Sequence, residues 1–485
     1  MQLGSYTLLF IGVVSGLMLG TSLLHAWLWP LVFFGTVLAL VVIQQSASPL
    51  HAFWLGWIIG TCKMLISLVW FWSTYPLDWL GLEPGFFHLS LVLLYWIPAS
   101  LTLGLGLGLA AWVYKKYCLN VPRRVMLLLI PLLWVSAEVL GALMFSLYTL
   151  GPASAITPGF SFGHTGYALV SLNVFRYLAV FGSVYLLSFA VAFVSYLFCV
   201  QNGKQRLLFL VTLSGLVLFV PAPDNAVQGT GIKVAITETS FPSETKTNPL
   251  PRFDREQAYN DLIRYALASD SDVVVLPEDS RLTSLFVDTD QVFDFIRSIT
   301  DKEIVLIDSM TINDGNKNFF RAYVYDTKTQ TRFEFDKQYL VPQGEYIPYI
   351  YKTLISLLGE DVSSWAMSKG IYEPGINQSS MQLPDNVPPV LFCFESVTPF
   401  GVLNIKNSHT SFVAHVVSHA WFKREPKVFW HQLDAMLQTQ ALFNKVPILQ
   451  SANQAQAKVY QSDGSIKYPE LVASSGYWKL YITNI

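Results

Sequence analysis

The chain has 485 residues, of which 52% are hydrophobic and only 13% are charged, and its mean hydropathy is +0.42. Soluble domains carry about a quarter charged residues, so this composition argues against a wholly soluble, disordered or collagen-like protein. The net charge of −2 gives no reason to expect nucleic acid as a partner, and four cysteines are too few for a disulfide scaffold.

Charged residues are concentrated in the second part of the chain. Residues 1–225 contain only 8 of the 31 Lys and Arg and 4 of the 33 Asp and Glu. The sequence therefore predicts a transmembrane helical domain over 1–225 and a globular domain with one large core over 226–485. The boundary falls in a Pro/Gly-rich linker near 221–231.

About seven membrane spans are predicted in the first part, because about 20 apolar residues cross a bilayer. They cover residues 5–24, 27–44, 52–72, 86–113, 125–147, 174–200 and 206–220. Pro98 and the alternating Gly104, Gly106 and Gly108 predict a kink in the fourth span. The first span lacks a basic region and a small-residue cleavage pattern, so we interpret it as an anchor rather than a signal peptide.

Basic residues in short loops indicate the orientation, since such loops stay cytoplasmic. They lie between spans four and five and between spans six and seven (Lys115, Lys116, Arg123, Arg124, Lys204 and Arg206). The loops 73–85 and 148–173, on the opposite side, have no Lys or Arg. With a cytoplasmic N-terminus, seven crossings place residues 226–485 outside the cytoplasm, and residues 477–485 are too short for an eighth span.

Three ionisable residues, Lys63, Glu138 and Arg176, lie in or at the edge of the spans. A charge at membrane depth is costly and indicates a functional site by default. A buried structural pair between Lys63 and Glu138 is the alternative, and Arg176 could extend to a lipid phosphate. The uncharged loop 146–173, rich in Gly, Phe and Tyr, is expected to lie against lipid.

The second domain alternates short apolar runs with helical patterns, which predicts an α/β fold. We predict strands at 232–237, 272–278, 303–307, 321–325, 332–335, 390–393, 412–417 and 446–450, and helices at 255–268 and 429–441. Arg332, Glu334 and Asp336 lie on one face of a hairpin strand, with Phe333 and Phe335 on the other. This order predicts two sheets packed face to face with helices outside, an αββα sandwich.

Cys393 is the only cysteine of the second domain, so it has no intramolecular disulfide partner there. A lone thiol in an oxidising compartment is a candidate nucleophile; the alternative is a buried core cysteine at a strand end. The histidines are too loosely spaced for a zinc site, and no cofactor is expected (His409, His415, His419 and His431).

Three short strings occur in a characteristic order around this cysteine: Leu276-Pro-Glu278, Asp336-Lys337-Gln-Tyr-Leu-Val-Pro342 and Phe392-Cys393-Phe-Glu395. In that order they resemble the carbon–nitrogen hydrolase (nitrilase) superfamily. The resemblance implies a nitrilase-like sandwich in which Glu278, Lys337 and Cys393 form the catalytic constellation. A Cys must be a thiolate to attack a carbonyl, and a nearby ammonium such as Lys337 lowers the thiol pKa. Lys337 also suits oxyanion stabilisation, and Glu278 suits proton transfer.

A more particular resemblance covers nearly the whole chain. Seven spans, the string Leu340-Val-Pro-Gln-Gly-Glu-Tyr-Ile-Pro348, the Cys-x-Glu of 393–395 and Ala420-Trp-Phe422 are similar to the apolipoprotein N-acyltransferase family. The resemblance implies transfer of an acyl chain from a phospholipid donor, through a Cys thioester, to the α-amino group of the diacylglyceryl-modified cysteine of a lipoprotein. It also implies that Glu345 and Glu395 support the active site, and that the protein is a multi-pass protein of a bacterial inner membrane with a periplasmic catalytic domain.

The chain departs from the family pattern around this constellation. An early Trp is replaced in the segment 240–245, Asn-Asp becomes Ser418-His419, Thr-Asn-Asn-Gly becomes 451–454, and Gln438 and Gln440 stand where arginines are expected. The triad is kept, so we expect the chemistry to be kept. Two alternatives stay open: a membrane-anchored amidase or hydrolase with water as acceptor, and a non-catalytic relative that binds lipoproteins or lipids.

Overall fold

Seven apolar helices precede the α/β domain in the described part of the chain. The structure is a computed structural model that describes residues 4–77, 85–152, 154–223, 231–242, 252–315, 317–357, 372–375, 383–384, 387–405 and 410–485. The helices are α1 Ser5–Thr21, α2 Pro30–Gln45, α3 Pro49–Ser67, α4 Phe86–Tyr117, α5 Arg123–Tyr148, α6 Asn173–Val200 and α7 Gly203–Phe219.

Five helical stretches are long and apolar enough to cross a membrane: Ala26–Gln45, Pro49–Thr74, Phe86–Tyr117, Arg123–Tyr148 and Asn173–Val200. The first, α1, and the last, α7, have 17 residues each, below the roughly 20 that a perpendicular crossing needs. Helices therefore occur at all seven predicted positions. Five of these positions hold a stretch with the length of a membrane span, when the 3₁₀ turns before α2 and after α3 are included.

The glycines of α4 lie where helices of the bundle approach each other closely. A Cβ atom added at Gly106 would lie 1.9 Å from the Ala137 carbonyl oxygen of α5, and one at Gly60 of α3 would lie 2.6 Å from the Gly104 carbonyl oxygen. Small residues let helix backbones pack this closely in membranes. The alternating glycines thus fit close helix packing, and α4 continues through Pro98 as one element.

The remaining elements build the α/β domain. Its strands are β1 Lys233–Thr239, β2 Val273–Val275, β3 Val305–Asp314, β4 Lys317–Asp326, β5 Thr331–Asp336, β6 Val390–Phe392, β7 Val413–Ser418, β8 Ile448–Asn453, β9 Lys458–Tyr460, β10 Ile466–Lys467, β11 Glu470–Ser474 and β12 Trp478–Asn484. Its helices are α8 Arg252–Ala268, α9 Thr289–Arg297, α10 Tyr349–Ser356, α11 Gly401–Ile405 and α12 Lys427–Asn444.

The strands form two halves that are joined at β1. One half has the order β5-β4-β3-β2-β1, with β12 antiparallel on the far edge of β1. The other half contains the parallel strands β6, β7 and β8, followed by β9 and β10. The last two residues of β1, Glu238 and Thr239, pair in parallel with Ala452 and Asn453 of β8 and connect the halves.

Three layers of apolar side chains show how the domain is stacked. Helices α8 and α9 cover one face of β1–β4 through residues such as Leu262 and Val292. The opposite face of that half packs on β6–β9, as Val275 and Phe392 do. Helix α12 covers the outer face of β6–β9 and shares a core with the membrane helices. The predicted helical bundle followed by an α/β αββα sandwich is therefore confirmed.

Strand lengths differ from the sequence predictions in two places. Strands β3 and β4 extend to ten residues each, because their distal halves are polar and half-exposed and give no apolar run. The segment 477–485 contains β12, which pairs with β1 along seven residues. The predicted domain boundary at residue 225 lies outside the described residues.

Residues 161–170 of the segment between α5 and α6 do not lie against lipid, contrary to the expectation for this part of the loop. Every residue from 161 to 170 is buried between the bundle and the α/β domain. Arg176 is half-buried, and its Nε atom donates to the Val170 carbonyl at 2.9 Å. An uncharged aromatic segment suits a protein interior as well as a lipid surface, which is why its composition did not distinguish the two.

Candidate active site

The sequence-predicted triad residues follow three strands that point the same way. Glu278 comes soon after β2, Lys337 directly follows β5, and Cys393 directly follows β6 and opens the one-turn 3₁₀ segment Cys393–Val397. In a sandwich of this kind the carboxyl ends of parallel strands meet at one edge. The structure accordingly brings all three residues together.

Lys337 occupies the centre of the site and is only 1% exposed. Its Nζ atom donates to Glu278 Oε1 at 3.1 Å and to Glu345 Oε1 at 2.6 Å. Burial alone would lower the pKa of Lys337, but the Glu278 and Glu345 carboxylates outweigh burial and raise it. The lysine is therefore a fixed positive charge held between two carboxylates.

The Cys393 thiol is buried, and the charges of Glu278, Lys337 and Glu345 all affect its pKa. Burial, followed by the Glu278 carboxylate, raises the pKa of this thiol, and Lys337 only opposes the increase. Lys337 does lower the thiol pKa, as the sequence predicts, but desolvation and the Glu278 carboxylate outweigh its effect. Burial also raises the pKa of Glu278, which makes this carboxylate a stronger proton acceptor than an exposed glutamate.

Glu345 and Glu395 have different surroundings. The second oxygen of Glu345 accepts the Val341 backbone N–H at 2.8 Å, which fixes its turn beside Lys337. Glu395 accepts the N–H of Gln338 at 2.6 Å and that of Phe392 at 2.9 Å. It therefore ties the residue after Lys337 to the residue before Cys393. Burial raises the pKa of Glu395 to about 7, and these backbone donors oppose the shift.

An apolar cavity of about 220 Å³ opens between the membrane helices and this site. Its walls come from the end of α5, the loop 152–160, the segment 338–346 after Lys337, and Phe394 and Val397 after Cys393. The segments that follow Lys337 and Cys393 thus border one apolar space at the junction of the two domains.

Sequence reasoning missed two groups that orient the site. The Ser418 backbone N–H, at the end of β7, donates to Glu278 Oε2 at 3.0 Å. Asp308, fully buried at β3, holds the turn after Glu278 through Ser280 and Thr283. Both residues lie at the same strand edge as the triad, and that position is the signal that could have identified them.

Gln438 and Gln440 do not face the cavity. Both are buried on α12, where Gln438 donates to the Gly464 carbonyl and Gln440 donates to the Ser396 carbonyl, each at 2.6 Å. Gln440 also accepts the Val402 N–H at 3.1 Å. These two side chains therefore form hydrogen bonds with backbone groups around α12. The positions where arginines are expected are thus buried on α12 and do not line the cavity.

Comparisons with known proteins agree on one family. The model of the "Apolipoprotein N-acyltransferase N-terminal domain" matches residues 15–197. The apolipoprotein N-acyltransferase of Geobacter metallireducens is 25% identical over 94% of this chain and 85% of its own length, and that of Shewanella oneidensis is 23% identical over 87% and 80%. Over most of its length this chain is therefore similar to apolipoprotein N-acyltransferases, as its sequence motifs predict.

Other similarities are partial. The apolipoprotein N-acyltransferase of Aquifex aeolicus is 27% identical, over 56% of this chain and 60% of its own length. Among solved structures, the nitrilase-superfamily protein Nit3 of Saccharomyces cerevisiae is 15% identical, with 54% of this chain and 93% of that chain covered at a TM-score of 0.35. The match to a glutamine-dependent NAD(+) synthetase from Cytophaga hutchinsonii covers 52% of this chain and 43% of that chain, at a TM-score of 0.30.

Proposed function

We propose that this protein transfers an acyl chain from a phospholipid to the α-amino group of the N-terminal diacylglyceryl-cysteine of lipoproteins, through a thioester on Cys393. One observation carries the proposal. Next to the buried cluster of Glu278, Lys337 and Cys393, the segments that follow Lys337 and Cys393 line an apolar cavity to which the end of α5 also contributes. A water-soluble amide would need no such platform, whereas an acyl chain needs apolar surface next to the nucleophile.

The proposed acylation step uses all three residues of the cluster. Cys393 Sγ attacks the ester carbonyl while its proton passes to Glu278, and Lys337 stabilises the oxyanion that forms. Collapse of this intermediate breaks the ester C–O bond, and Glu278 returns the proton to the departing lysophospholipid oxygen. The product is an acyl thioester on Cys393.

The transfer step repeats this chemistry with a new nucleophile. The neutral amine of the acceptor attacks the thioester carbonyl, and Glu278 takes the amine proton. Breaking the C–S bond releases the amide and gives Cys393 its proton back from Glu278. Two half-reactions on one cysteine predict ping-pong kinetics. Glu345 and Glu395 act by holding Lys337 and the Cys393 turn in place.

Mass spectrometry of the purified protein after mixing with phospholipid tests the covalent step. Cys393 should gain an acyl mass that hydroxylamine removes, and Cys393→Ala should abolish both labelling and turnover. Lys337→Ala should slow acylation about 10²–10³-fold, because it removes one oxyanion donor. Lys458→Ala is the matched control, since it removes a buried lysine of β9 that is ion-paired with Asp434. Unchanged acylation in either triad variant would contradict the assignment.

We also propose that the α/β domain lies outside the cytoplasm of a bacterial cell, on the basis of the basic loops at 115–124 and 204–206. A reporter that is active only after export should be active when fused after residue 230. The same reporter should be silent when fused within the loop 115–124, and the reverse pattern would overturn the orientation.

A further inference from the structure

A buried ion pair lies in the membrane bundle, apart from the cluster around Cys393. Lys63 Nζ of α3 is 3.2 Å from Glu138 Oε1 of α5, and both residues are less than a tenth exposed. The same carboxylate oxygen accepts the Thr165 backbone N–H at 2.7 Å and the Thr165 hydroxyl at 2.9 Å. Burying a charge pair at this depth is costly, and here its carboxylate binds a loop as well as a helix.

The bound loop is fixed to the bundle at more than one point. Thr165–Leu169 forms a single 3₁₀ turn. The Gly166 N–H donates to Ser188 Oγ at 3.0 Å, and Arg176 Nε donates to the Val170 carbonyl at 2.9 Å. The turn is therefore fastened to α5 at its start and to α6 along its length.

The other part of the same loop reaches the turn that carries Cys393. The Ser161 hydroxyl donates to the Val397 carbonyl, and Val397 is the last residue of the 3₁₀ turn that Cys393 opens. Since that hydroxyl hydrogen is used, Tyr167 donates its own to Ser161 Oγ at 2.8 Å. Hydrogen bonds and one short loop thus connect Glu138 with the nucleophile's turn.

The loop also forms part of the cavity wall. Residues 154–160 line the apolar space, and the Phe160 ring lies 6.4 Å from the ring of Phe394, the neighbour of Cys393. Any shift of the loop would change both the wall that faces the acyl chain and the turn that presents the thiol.

We propose that Lys63 and Glu138 are positioning residues for acyl transfer, which hold the loop 154–170 so that it fixes the Cys393 turn and the adjoining cavity wall. The test of this proposal by acylation rate rests on the proposed function. A displacement of about 1 Å at a reacting group can cost about 10²-fold in rate, so the pair acts on the chemistry through the loop without touching the substrate.

Paired substitution tests this role without leaving an unpaired charge. The double variant Lys63→Met/Glu138→Leu removes both charges and the Thr165 acceptor, and it should slow Cys393 acylation by phospholipid about 10²-fold. Lys63→Arg keeps the ion pair and should keep the wild-type rate. Thr36→Val is the matched control, because Thr36 is an equally buried polar residue of α2 that bonds only within its own helix.

Hydrogen exchange supplies a readout that needs no substrate. In the double variant, amides of residues 161–170 and 393–397 should exchange faster, while those of β1 and β3 stay protected. Faster exchange everywhere would indicate a purely structural role and overturn the proposal, as would unchanged exchange at 393–397 or an unchanged acylation rate. If the double variant does not fold, Thr165→Val, which removes one of the two Thr165 bonds, should show the same local pattern more weakly.

The two proposals fail separately. If phospholipid does not acylate wild-type Cys393, the proposed function is overturned. The exchange pattern still decides whether the ion pair holds the loop and the Cys393 turn.

Discussion

At the scale of single residues, the site is a balance of buried charges. Lys337 lies between the carboxylates of Glu278 and Glu345. With Cys393 as a neutral thiol, these three charged groups together carry one net negative charge. Burial raises the pKa of both Cys393 and Glu278. In the proposed mechanism, the thiolate is therefore generated during the attack by proton transfer to Glu278 and is not present beforehand.

This balance predicts the pH dependence of acylation. Glu278 accepts the proton only in its ionised form, so the single-turnover rate should be full above the pKa of Glu278 and fall as pH drops through it. Because burial raises that pKa, the fall should lie above the pH expected for an ordinary glutamate, near 4.3. Glu278→Gln should lose this limb and be about 10²–10⁴-fold slower. The same limb in Glu278→Gln would show that another group is the base.

At the scale of elements, the turn after β2 sets the direction of Glu278. Asp279 and Arg281 have φ values of 64° and 61°, a region that costs non-glycine residues of order 1–3 kcal/mol each. The carboxylate of Asp308 holds this turn by accepting from Ser280, Leu282 and Thr283. Backbone strain of this kind persists only where surrounding contacts hold the chain in place. Here the strained residues directly follow Glu278, the proposed base.

Asp308→Ala should therefore disturb both stability and chemistry. Removing the carboxylate leaves the N–H groups of Leu282 and Thr283 without their acceptor, at a cost of about 1–3 kcal/mol each, and acylation should slow by about 10²-fold because Glu278 shifts. Asp326→Ala is the matched control: Asp326 is an equally buried carboxylate of β4 that accepts from Lys328 and Thr329. It should lower the unfolding temperature without the rate loss, and equal rate losses in the two variants would contradict the role of Asp308.

At the scale of the whole molecule, the bundle and the α/β domain meet in one apolar core. Helix α12 packs on the sheet with one face and on the membrane helices with another, and the cavity opens at the same junction. Under the proposed function, a thioester formed beside this apolar wall is shielded from water, and the lipid-modified acceptor peptide that we propose suits the same apolar surroundings, so transfer is favoured over hydrolysis.

The acyl-enzyme should accordingly persist alone and discharge quickly when a diacylglyceryl-cysteinyl peptide is added. The discharge should slow as pH falls below the pKa of the acceptor amine, near 8 for an α-amino group, since only the neutral amine attacks. Mass spectrometry of the thioester over time measures both rates. Decay at one rate with or without the peptide, with release of free fatty acid, would instead indicate a hydrolase.

The sequence by itself determined most of the elements and indicated the candidate site residues. Runs of about 20 apolar residues mark membrane helices whatever they pack against, and short β-branched runs mark the buried strands of 273–275 and 413–418. The order of the short strings around Glu278, Lys337 and Cys393 identified the candidate site through their resemblance to the nitrilase superfamily. These signals are local, and local signals can be read along a chain.

Only the tertiary structure decided how these parts act on each other. The net effect on the Cys393 pKa depends on desolvation, which no spacing reveals. The loop 146–173 has a composition that suits lipid and protein interior equally, and only packing shows that it joins Glu138 to the Cys393 turn. Likewise, Asp308 and Ser418 support Glu278 from strands distant along the chain. Burial and long-range hydrogen bonds depend on which surfaces meet, so they appear only when the chain is folded.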